Sequence, residues 1–381
     1  MLDRYFPWGI AEGQAFLGRD KEIARLIHNI SLGYHTLLLS PRRYGKTSLA
    51  RQAIQQSKKH WIEIDLFVTQ NELSVEQKIL KGVQTLISQI DSPEHWLKML
   101  LNYFKNANKT WTVGVKGLQL ELTPDNHKDI PDNILEALNA LEYVLSKKNK
   151  YAVIFIDEFQ EIANIKINIA IEGAIRHFAQ SARHVTFIFS GSSRHMLMHM
   201  FGDLSRPLYA LCDSMNLHRL TFAEYQPYLN KVAKETWGKK LTDDTIQKII
   251  ELTECHPRYV YILSAKIWEN GVISKQIPHA QQAEEAWAQL VDIRLKDMRE
   301  ILIKRALGQI KLLAFIALGN TTELSGQFAQ RKLGISSSAI SQSLRELEHD
   351  DFVEKNADGS YFIIDPLLKT ALVKYGSDYF L

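Results

Sequence analysis

The sequence predicts an α/β protein in which helices cover both faces of a parallel β-sheet. Between His35 and Leu220, five short apolar runs alternate with helical segments, and nearly continuous apolar runs are typical of strands buried on both faces. A glycine–lysine–threonine triplet at 45–47 follows the first run closely. After Thr221 the pattern becomes helical, and two short strands return only near the C-terminus. These observations indicate a three-layer sheet domain followed by two mainly helical regions.

The five predicted strands are the apolar runs HTLLLS, WIEIDLF, YAVIFID, HVTFIFSG and SMNLHRL. Before the third run, residues 111–122 alternate apolar and polar side chains with glycines between them, which predicts a small, half-exposed β-ribbon. Changes of pattern divide the chain into an α/β domain at 1–220, which carries the ribbon, a helical region at 221–293 and a C-terminal region at 294–381. In the second region, Thr242 and the acidic residues after it predict a helix start.

Composition excludes several classes of protein. A length of 381 residues favours two or three domains, and a net charge of +3 permits an anionic partner without requiring one. Cys212 and Cys255 cannot form a disulfide framework, and neither has a metal-ligand spacing. The N-terminus lacks the features of a signal peptide, and the longest apolar runs, such as 312–318, are too short to cross a bilayer. We therefore expect a cytoplasmic protein that does not bind membranes.

The loop after the first predicted strand has the composition of a phosphate-binding loop. It matches the pattern G-x-x-x-x-G-K-[ST], except that Ser40 stands where the first glycine belongs. A loop that leads into a helix presents backbone N–H groups to an anion, and the helix N-terminus adds positive charge. Lys46 would contact the β- and γ-phosphates, and the Thr47 hydroxyl would ligate Mg²⁺. The alternative is a chance match to a short pattern. The predicted nucleotide-binding residues of the loop are Ser40, Pro41, Arg42, Arg43, Tyr44, Gly45, Lys46, Thr47 and Ser48.

The third predicted strand ends in two carboxylates, Asp157 and Glu158. In a nucleotide-hydrolysing site, Asp157 would hold Mg²⁺ at the end of the strand, and Glu158 would accept a proton from the water that attacks the γ-phosphate. The alternative is a solvated helix cap. The combination with an upstream phosphate loop favours the catalytic interpretation.

The fourth predicted strand is followed by a polar cluster at 190–194. Because neighbouring parallel strands end at the same edge of a sheet, these side chains are expected near the γ-phosphate, where they would sense the state of the nucleotide. The alternative is an ordinary turn rich in serine and glycine.

Together these motifs resemble those of archaeal-type AAA+ ATPases. These are P-loop NTPases related to the signal-transduction (STAND) NTPases and, more distantly, to the origin-recognition ATPases. The resemblance implies an AAA+ sheet domain, a helical lid at 221–293, a winged-helix domain at 294–381, and binding and hydrolysis of ATP to ADP with Mg²⁺. The segments that carry it are FLGRDKEIARL, PRRYGKTSL, IFIDEFQEI, FIFSGSSRHMLMHMF, RPLY, HPRYVYILS and YFIIDPLLKTAL.

The resemblance also assigns roles around the nucleotide. Phe16, Gly18 and Arg19 would lie beside the adenine and the ribose. Ser192 or Ser193 occupies the region of the first sensor position, where a polar side chain responds to the γ-phosphate.

Two arginines receive roles from the same resemblance. Arg258, which follows Pro257, resembles the second sensor arginine that contacts the phosphates from the lid. Arg206 is a candidate finger toward a neighbouring subunit of a homo-oligomer, although Ala210 and Leu211 depart from the family pattern after it. For both arginines the alternative is a structural or surface ion pair.

The C-terminal region has the pattern of a winged helix. Gln327 to Lys332 predict the second helix, Ser336 caps the third, and Asp358–Gly359 form the tip of a hairpin. We expect Ala339, Ile340, Leu344 and Leu347 on the inner face of the third helix. A third helix of this kind often reads DNA, but its charge is unfavourable for contact with phosphates. From 336 to 351 the positively charged candidates are Arg345 and His349, against Glu346, Glu348, Asp350 and Asp351.

Two functional hypotheses remain open at this point. In the first, the protein is an ATP-dependent switch whose lid and winged helix engage protein partners or drive self-assembly. In the second, it is an ATP-dependent factor that binds duplex DNA through the winged helix or through the basic stretch 296–311. A nucleotide-holding module with negligible turnover is a third possibility.

Overall fold

The structure, a computed structural model, describes residues 2–106, 111–116, 119–124 and 129–380. Residues 117–118, in the middle of the predicted ribbon, lie outside the described residues, as do residues 1 and 381. Contacts divide the chain into two compact units. The sheet unit comprises Arg19–Ser40 and Lys46–Leu217, and the helical unit comprises Met1–Gly18, Pro41–Gly45 and His218–Leu381. Each unit has its own hydrophobic core.

The sheet unit alternates strands and helices as the sequence predicts. Its elements are α1 (Asp20–Leu32), β1 (Thr36–Leu39), α2 (Lys46–Ser57), β2 (His60–Asp65), α3 (Glu72–Ile90), α4 (Pro93–Asn106), β3 (Trp111–Lys116), β4 (Gln119–Pro124), α5 (Ile130–Lys148), β5 (Ala152–Asp157), α6 (Asn168–Ser181), β6 (Val185–Gly191), α7 (Arg194–Gly202) and β7 (Asp213–Asn216). A 3₁₀ segment, Phe159–Asn164, follows β5.

All five predicted strands lie in one parallel sheet, in the order β2-β5-β6-β1-β7. Every residue of β1, β5 and β6 is buried, because helices cover both faces of the sheet. The predicted ribbon is confirmed in the described residues, since β3 and β4 pair antiparallel with Trp111 opposite Pro124. The carboxyl ends of β5 and β6 are neighbours, which brings residues 157–158 and 190–192 together.

The helical unit contains the predicted lid helices and winged helix. Its elements are α8 (Phe222–Trp237), α9 (Asp243–Thr253), α10 (Pro257–Ser274), α11 (Ala280–Leu302), α12 (Leu307–Ala317), α13 (Gln327–Leu333), α14 (Ser337–His349), β8 (Val353–Lys355), β9 (Tyr361–Ile363) and α15 (Pro366–Tyr375), with 3₁₀ segments at Leu2–Arg4, Gly13–Ala15 and Ser377–Phe380. The predicted caps are confirmed: Thr242 accepts a hydrogen bond from the Thr245 N–H, and Ser336 accepts one from the Ala339 N–H.

The winged helix is formed by α12, α13, α14 and the antiparallel pair β8–β9. Ile340, Leu344 and Leu347 are buried as predicted, whereas Ala339 is only half-buried. Gly359, with φ +86°, lies at the tip of the hairpin, where glycine adopts the left-handed conformation without strain.

Helix α11 runs unbroken through residues 293–294, where the change of pattern was expected to separate lid from winged helix. The contacts also group both regions in one unit. The division at 293 stays a prediction, because a change of sequence pattern does not require a break in a helix. None of the described helices combines the length and the apolar character that a membrane crossing needs.

Candidate active site

The phosphate loop connects β1 to α2 as the sequence predicts. Gly45, the last residue of the loop, has φ +89°, a conformation that side chains with a Cβ rarely adopt. Arg43 also has a positive φ, +68°. Helix α2 starts at Lys46, so the loop ends at a helix N-terminus, where free N–H groups favour an anion.

Ser40 and Lys46 are in direct contact in the sheet unit. The Lys46 Nζ donates a hydrogen bond to the Ser40 carbonyl oxygen at 2.9 Å and lies 3.4 Å from the Ser40 Oγ. Both residues are buried. The serine that replaces the first glycine of the pattern is therefore accommodated, and it helps to hold the loop lysine inside the site.

Asp157, at the end of β5, accepts hydrogen bonds from three donors. The Thr47 Oγ1 donates to its Oδ2 at 2.6 Å, the Glu158 N–H donates to its Oδ1 at 3.0 Å, and the Ser190 hydroxyl also donates to its Oδ1. Thr47 and Asp157, the two predicted metal ligands, are thus neighbours although they lie far apart in sequence. A hydroxyl and a carboxylate oxygen are hard donors of the kind that Mg²⁺ prefers, so the residues present fit this ion.

Glu158 is held by one of its two carboxylate oxygens. Its Oε2 accepts hydrogen bonds from the Gln160 Nε2 at 2.6 Å, the Ser192 Oγ at 2.8 Å and the Ser192 N–H at 3.1 Å. Burial alone would raise the pKa of Glu158, but these bonds and the charge of Lys46 hold that pKa below its usual value. The side chain is therefore an ionised carboxylate near neutral pH, as a general base must be.

The polar cluster after β6 contacts both carboxylates, since Ser190 binds Asp157 and Ser192 binds Glu158. Ser193 instead occupies the position before α7. Gln160 lies within IFIDEFQEI, one of the segments that carry the family resemblance, but no motif assigned it a role. The only hint in the sequence was a polar side chain close to the two carboxylates.

In the helical unit, Tyr44 of the phosphate loop is bound by Arg219. The Arg219 Nε donates to the Tyr44 hydroxyl at 3.0 Å, and its two terminal nitrogens donate to the Glu254 carbonyl at 2.9 Å and to the Ile364 carbonyl at 2.8 Å. The guanidinium also pairs with the Glu254 carboxylate at 3.0 Å and lies 5.0 Å from the centroid of the Phe362 ring. Arg219 therefore joins the loop, the segment between α9 and α10, and the end of the winged-helix hairpin. Sequence patterns carried no signal for this junction.

Arg258 lies in the first turn of α10, directly after Pro257. Burial and the positive charge of Arg43 lower the pKa of Arg258, which places the two guanidinium groups within electrostatic reach inside the helical unit. An anion beside them would relieve the repulsion. The contact of Arg258 with phosphates stays a prediction.

The predicted base-binding segment has an irregular backbone. Gly18 and Arg19 have φ +63° and +67°, and Arg19 is buried and pairs with Glu22 at 3.0 Å. Phe16 is half-buried. The nucleobase role of these residues stays a prediction.

Arg206 forms an ion pair with Glu172, whose side chain is fully buried. Only 11% of the Arg206 side chain is exposed. This arrangement matches the structural alternative to a finger that points toward a neighbouring subunit.

Comparisons with known proteins identify the family of the chain. Residues 16–263 match the family described as an ATPase domain predominantly from Archaea. The chain is similar in fold to the Walker-type ATPase PABY2304 of Pyrococcus abyssi, with a TM-score of 0.69 and 18% identity over 98% of this chain and 99% of that one.

It is also similar in fold to the ORC2 protein of Aeropyrum pernix in its ADPNP–ADP complexes, with a TM-score of 0.55 and 14% identity over 95% of this chain and 93% of that one. No curated protein matches the chain. The family match covers more than half of the sequence and includes the phosphate loop and both carboxylates. The chain therefore belongs to this family of ATPase domains found predominantly in Archaea, and it is an ATPase.

Proposed function

We propose that this ATPase is a nucleotide-dependent switch in which occupancy of the phosphate loop sets the position of the winged helix. The observation that carries the proposal is the Arg219 junction in the helical unit. One guanidinium binds Tyr44 of the loop, Glu254 beside the lid helices and Ile364 beside the winged-helix hairpin. A change at any one of these partners must be accommodated by the others.

The junction is suited to two discrete arrangements. Glu254 shares its carboxylate between Arg219 and Lys369, whose Nζ lies 2.5 Å from its Oε1. Only 16% of the Arg219 side chain is exposed, so its bonds are poorly replaced by water. Nucleotide shifts such an equilibrium by as much as its affinity differs between the two arrangements. Tyr44 directly precedes Gly45 and Lys46, so it is well placed to respond.

The chemistry proposed for the site is in-line attack of water on the γ-phosphate of ATP. Glu158 accepts the proton of the water, and Lys46 and Arg258 stabilise negative charge on the phosphates. Thr47 and Asp157 would hold Mg²⁺, which supplies further charge neutralisation at the phosphates. Chelation of divalent ions is expected to abolish hydrolysis.

The charge of the winged helix favours a protein partner or a second copy of the chain over duplex DNA. The exposed residues of α14 include two carboxylates, Glu346 and Glu348, against one arginine, Arg345. In the basic stretch, Arg305 pairs with Asp350, and just before it Arg294 pairs with Asp297 at 2.8 Å. Such pairs weaken an electrostatic surface for phosphates.

The same proposal places the protein in the cytoplasm, where the free thiols Cys212 and Cys255 stay reduced.

The proposal is tested by hydrogen exchange of β9 with ADP and with a slowly hydrolysed ATP analogue. We expect exchange in Tyr361–Ile363 to depend on the nucleotide in the unmodified protein and to lose that dependence in Arg219→Ala. Arg305→Ala is the matched control, because Arg305 also pairs with a carboxylate and lies 4.6 Å from a phenylalanine ring centroid. Equal exchange in both nucleotide states of the unmodified protein would refute the switch.

Light scattering and fluorescence anisotropy then identify what the switch acts on. A nucleotide-dependent change in mass without affinity for a random duplex supports self-assembly. Binding to the duplex that depends on nucleotide and falls steeply with salt would instead support the DNA hypothesis.

A further inference from the structure

The side chain of Gln160 lies against the carboxylate of Glu158. Gln160 belongs to the 3₁₀ segment after β5 and is only 2% exposed. Its Nε2 donates to the Glu158 Oε2 at 2.6 Å, which is shorter than both bonds from Ser192 to the same oxygen. A buried amide in this position constrains where the carboxylate can point.

The three hydrogen bonds from Gln160 and Ser192 share one acceptor. All of them end on Oε2 of Glu158, and none ends on Oε1. The carboxylate is therefore anchored by one oxygen, while the other is left for a different donor. Glu158 itself has φ +53°, so its backbone also holds an unusual conformation at this point.

Gly191 provides the space that Gln160 occupies. A Cβ placed on Gly191 would lie 1.8 Å from the Gln160 Oε1 and 3.0 Å from its Cδ. Gly191 is not among the described residues with positive φ, so its backbone conformation does not require glycine. The position instead requires space, which is occupied mainly by the Gln160 amide and, at 3.2 Å from such a Cβ, by the Leu197 Cδ1.

Burial of the Gln160 amide is unfavourable for folding, and packing alone does not explain why a polar side chain occupies this position. The Gln160 Oε1 is buried and has no hydrogen-bond partner among the described residues. Burying an amide oxygen without a partner destabilises the folded state, and an apolar side chain of similar length would avoid that penalty. A polar residue kept in such a place points to a function.

We infer that Gln160 is a positioning residue for ATP hydrolysis: together with Ser192 it anchors Oε2 of Glu158, so that Oε1 faces the attacking water. The inference rests on the proposed role of Glu158 as the general base. Gln160 acts only through Glu158 and does not touch the substrate itself.

The first test replaces Gln160 by methionine, which has a similar length but cannot donate a hydrogen bond. We expect kcat for ATP to fall roughly 10- to 100-fold, the scale associated with a misplaced catalytic group. The KM and the affinity for the ATP analogue should change by less than about twofold, because the phosphate loop is untouched. Gln281→Met is the matched control, since Gln281 donates to Glu285 at 2.9 Å on the exposed surface of α11; it should leave kcat unchanged.

The second test uses Gly191→Ala, which displaces the Gln160 amide without removing it. This variant should show the same fall in kcat. In the double variant Gly191→Ala/Gln160→Ala the conflict with the amide is gone and only a 3.2 Å approach to the Leu197 Cδ1 remains, so it should be little slower than Gln160→Ala alone. Losses that simply multiply in the double variant would show that Gly191 acts independently of Gln160 and would overturn the inference.

A third comparison separates this inference from the proposed function. If Glu158→Gln abolishes hydrolysis while Gln160→Met leaves kcat intact, the positioning role is wrong and the base role stands. If Glu158→Gln hydrolyses ATP normally, the base role fails first. In the Glu158→Gln background, Gln160→Met should cause no further loss of kcat. If it lowers kcat there by the same factor as in the unmodified protein, or if nucleotide affinity and melting temperature fall in parallel, the Gln160 side chain is merely structural.

Discussion

The sheet unit and the helical unit each contain a cluster of polar contacts around residues of the phosphate loop motif, but the two clusters arise differently. In the sheet unit, Asp157 and Glu158 meet hydroxyl groups at the ends of adjacent parallel strands. In the helical unit, Arg219 donates hydrogen bonds to Tyr44, Glu254 and Ile364, which belong to three separate parts of the chain. Sheet topology determines the first cluster, whereas a single long side chain creates the second.

This difference predicts different consequences of mutation. We propose that the sheet cluster performs the chemistry, so substitutions there should lower the rate of hydrolysis while the fold survives. The helical cluster links three parts of the chain, so substitutions there should change the stability of the fold and the response of the winged helix to nucleotide more than the rate of hydrolysis.

Glu158→Gln should lower kcat by roughly 10²- to 10⁴-fold, because a general base contributes on that scale. Binding of the ATP analogue should be retained, since Glu158 is not needed to hold the phosphates. Single-turnover hydrolysis measures the loss, and titration of a fluorescent nucleotide measures the binding. Glu285→Gln, on the exposed surface of α11, serves as the control. Normal turnover in Glu158→Gln would remove the distinction between the two clusters.

Arg206→Ala should lower the free energy of unfolding by about 3 kcal/mol, because it leaves the buried Glu172 without its cation. Burial raises the pKa of Glu172 even with Arg206 present, so the carboxyl group is ready to take up a proton. Chemical denaturation measures the change. If Arg206→Ala instead left stability unchanged and lowered kcat only at high protein concentration, Arg206 would act as a finger between subunits.

Acidification should destabilise both units through one buried histidine in each. Burial, followed by the charge of Arg219, lowers the pKa of His256 to about 3, and burial lowers the pKa of His35 despite a hydrogen bond with the Ala179 carbonyl. The unfolded chain binds these protons below about pH 6.5, so the free energy of unfolding should fall as the pH drops from that value toward the folded-state pKa.

Replacing each histidine separately by glutamine tests which unit responds. His256→Gln should flatten the pH dependence of unfolding in the helical unit, and His35→Gln that of the sheet unit. The groups that face His256 are Tyr44, Tyr259, Arg43, Arg219 and Arg258, and all of these cations oppose its protonation. Exposed His28 is the control position, at which glutamine should leave the curve unchanged.

Tyr44→Phe should have the smallest effect. It removes the hydroxyl that accepts from Arg219 at 3.0 Å but leaves the ring, whose centroid lies 5.1 Å from that of His256. We expect a loss of about 1 kcal/mol in the free energy of unfolding, the net value of an ordinary hydrogen bond, and a kcat close to that of the unmodified protein. A large fall in kcat would show that the Arg219 junction contributes to catalysis and not only to communication.

Sequence patterns were sufficient to predict the alternation of strands and helices, the phosphate loop, the two carboxylates and the winged helix. These features depend on local rules: apolar runs form buried strands, Gly45 permits φ +89°, and Ser336 caps α14. The contact between Thr47 and Asp157 was also predictable, because the motif pair implies it.

The side chains that complete these features become apparent only in the folded structure. No motif assigns a role to Gln160, and its contact with Glu158 depends on the space that Gly191 of the neighbouring strand leaves for its amide. Arg219 and Glu254 lie far from Tyr44 in sequence, and no periodic pattern relates them. The physical reason is that hydrogen bonds between side chains depend on distances of a few tenths of an ångström, which local sequence preferences do not specify.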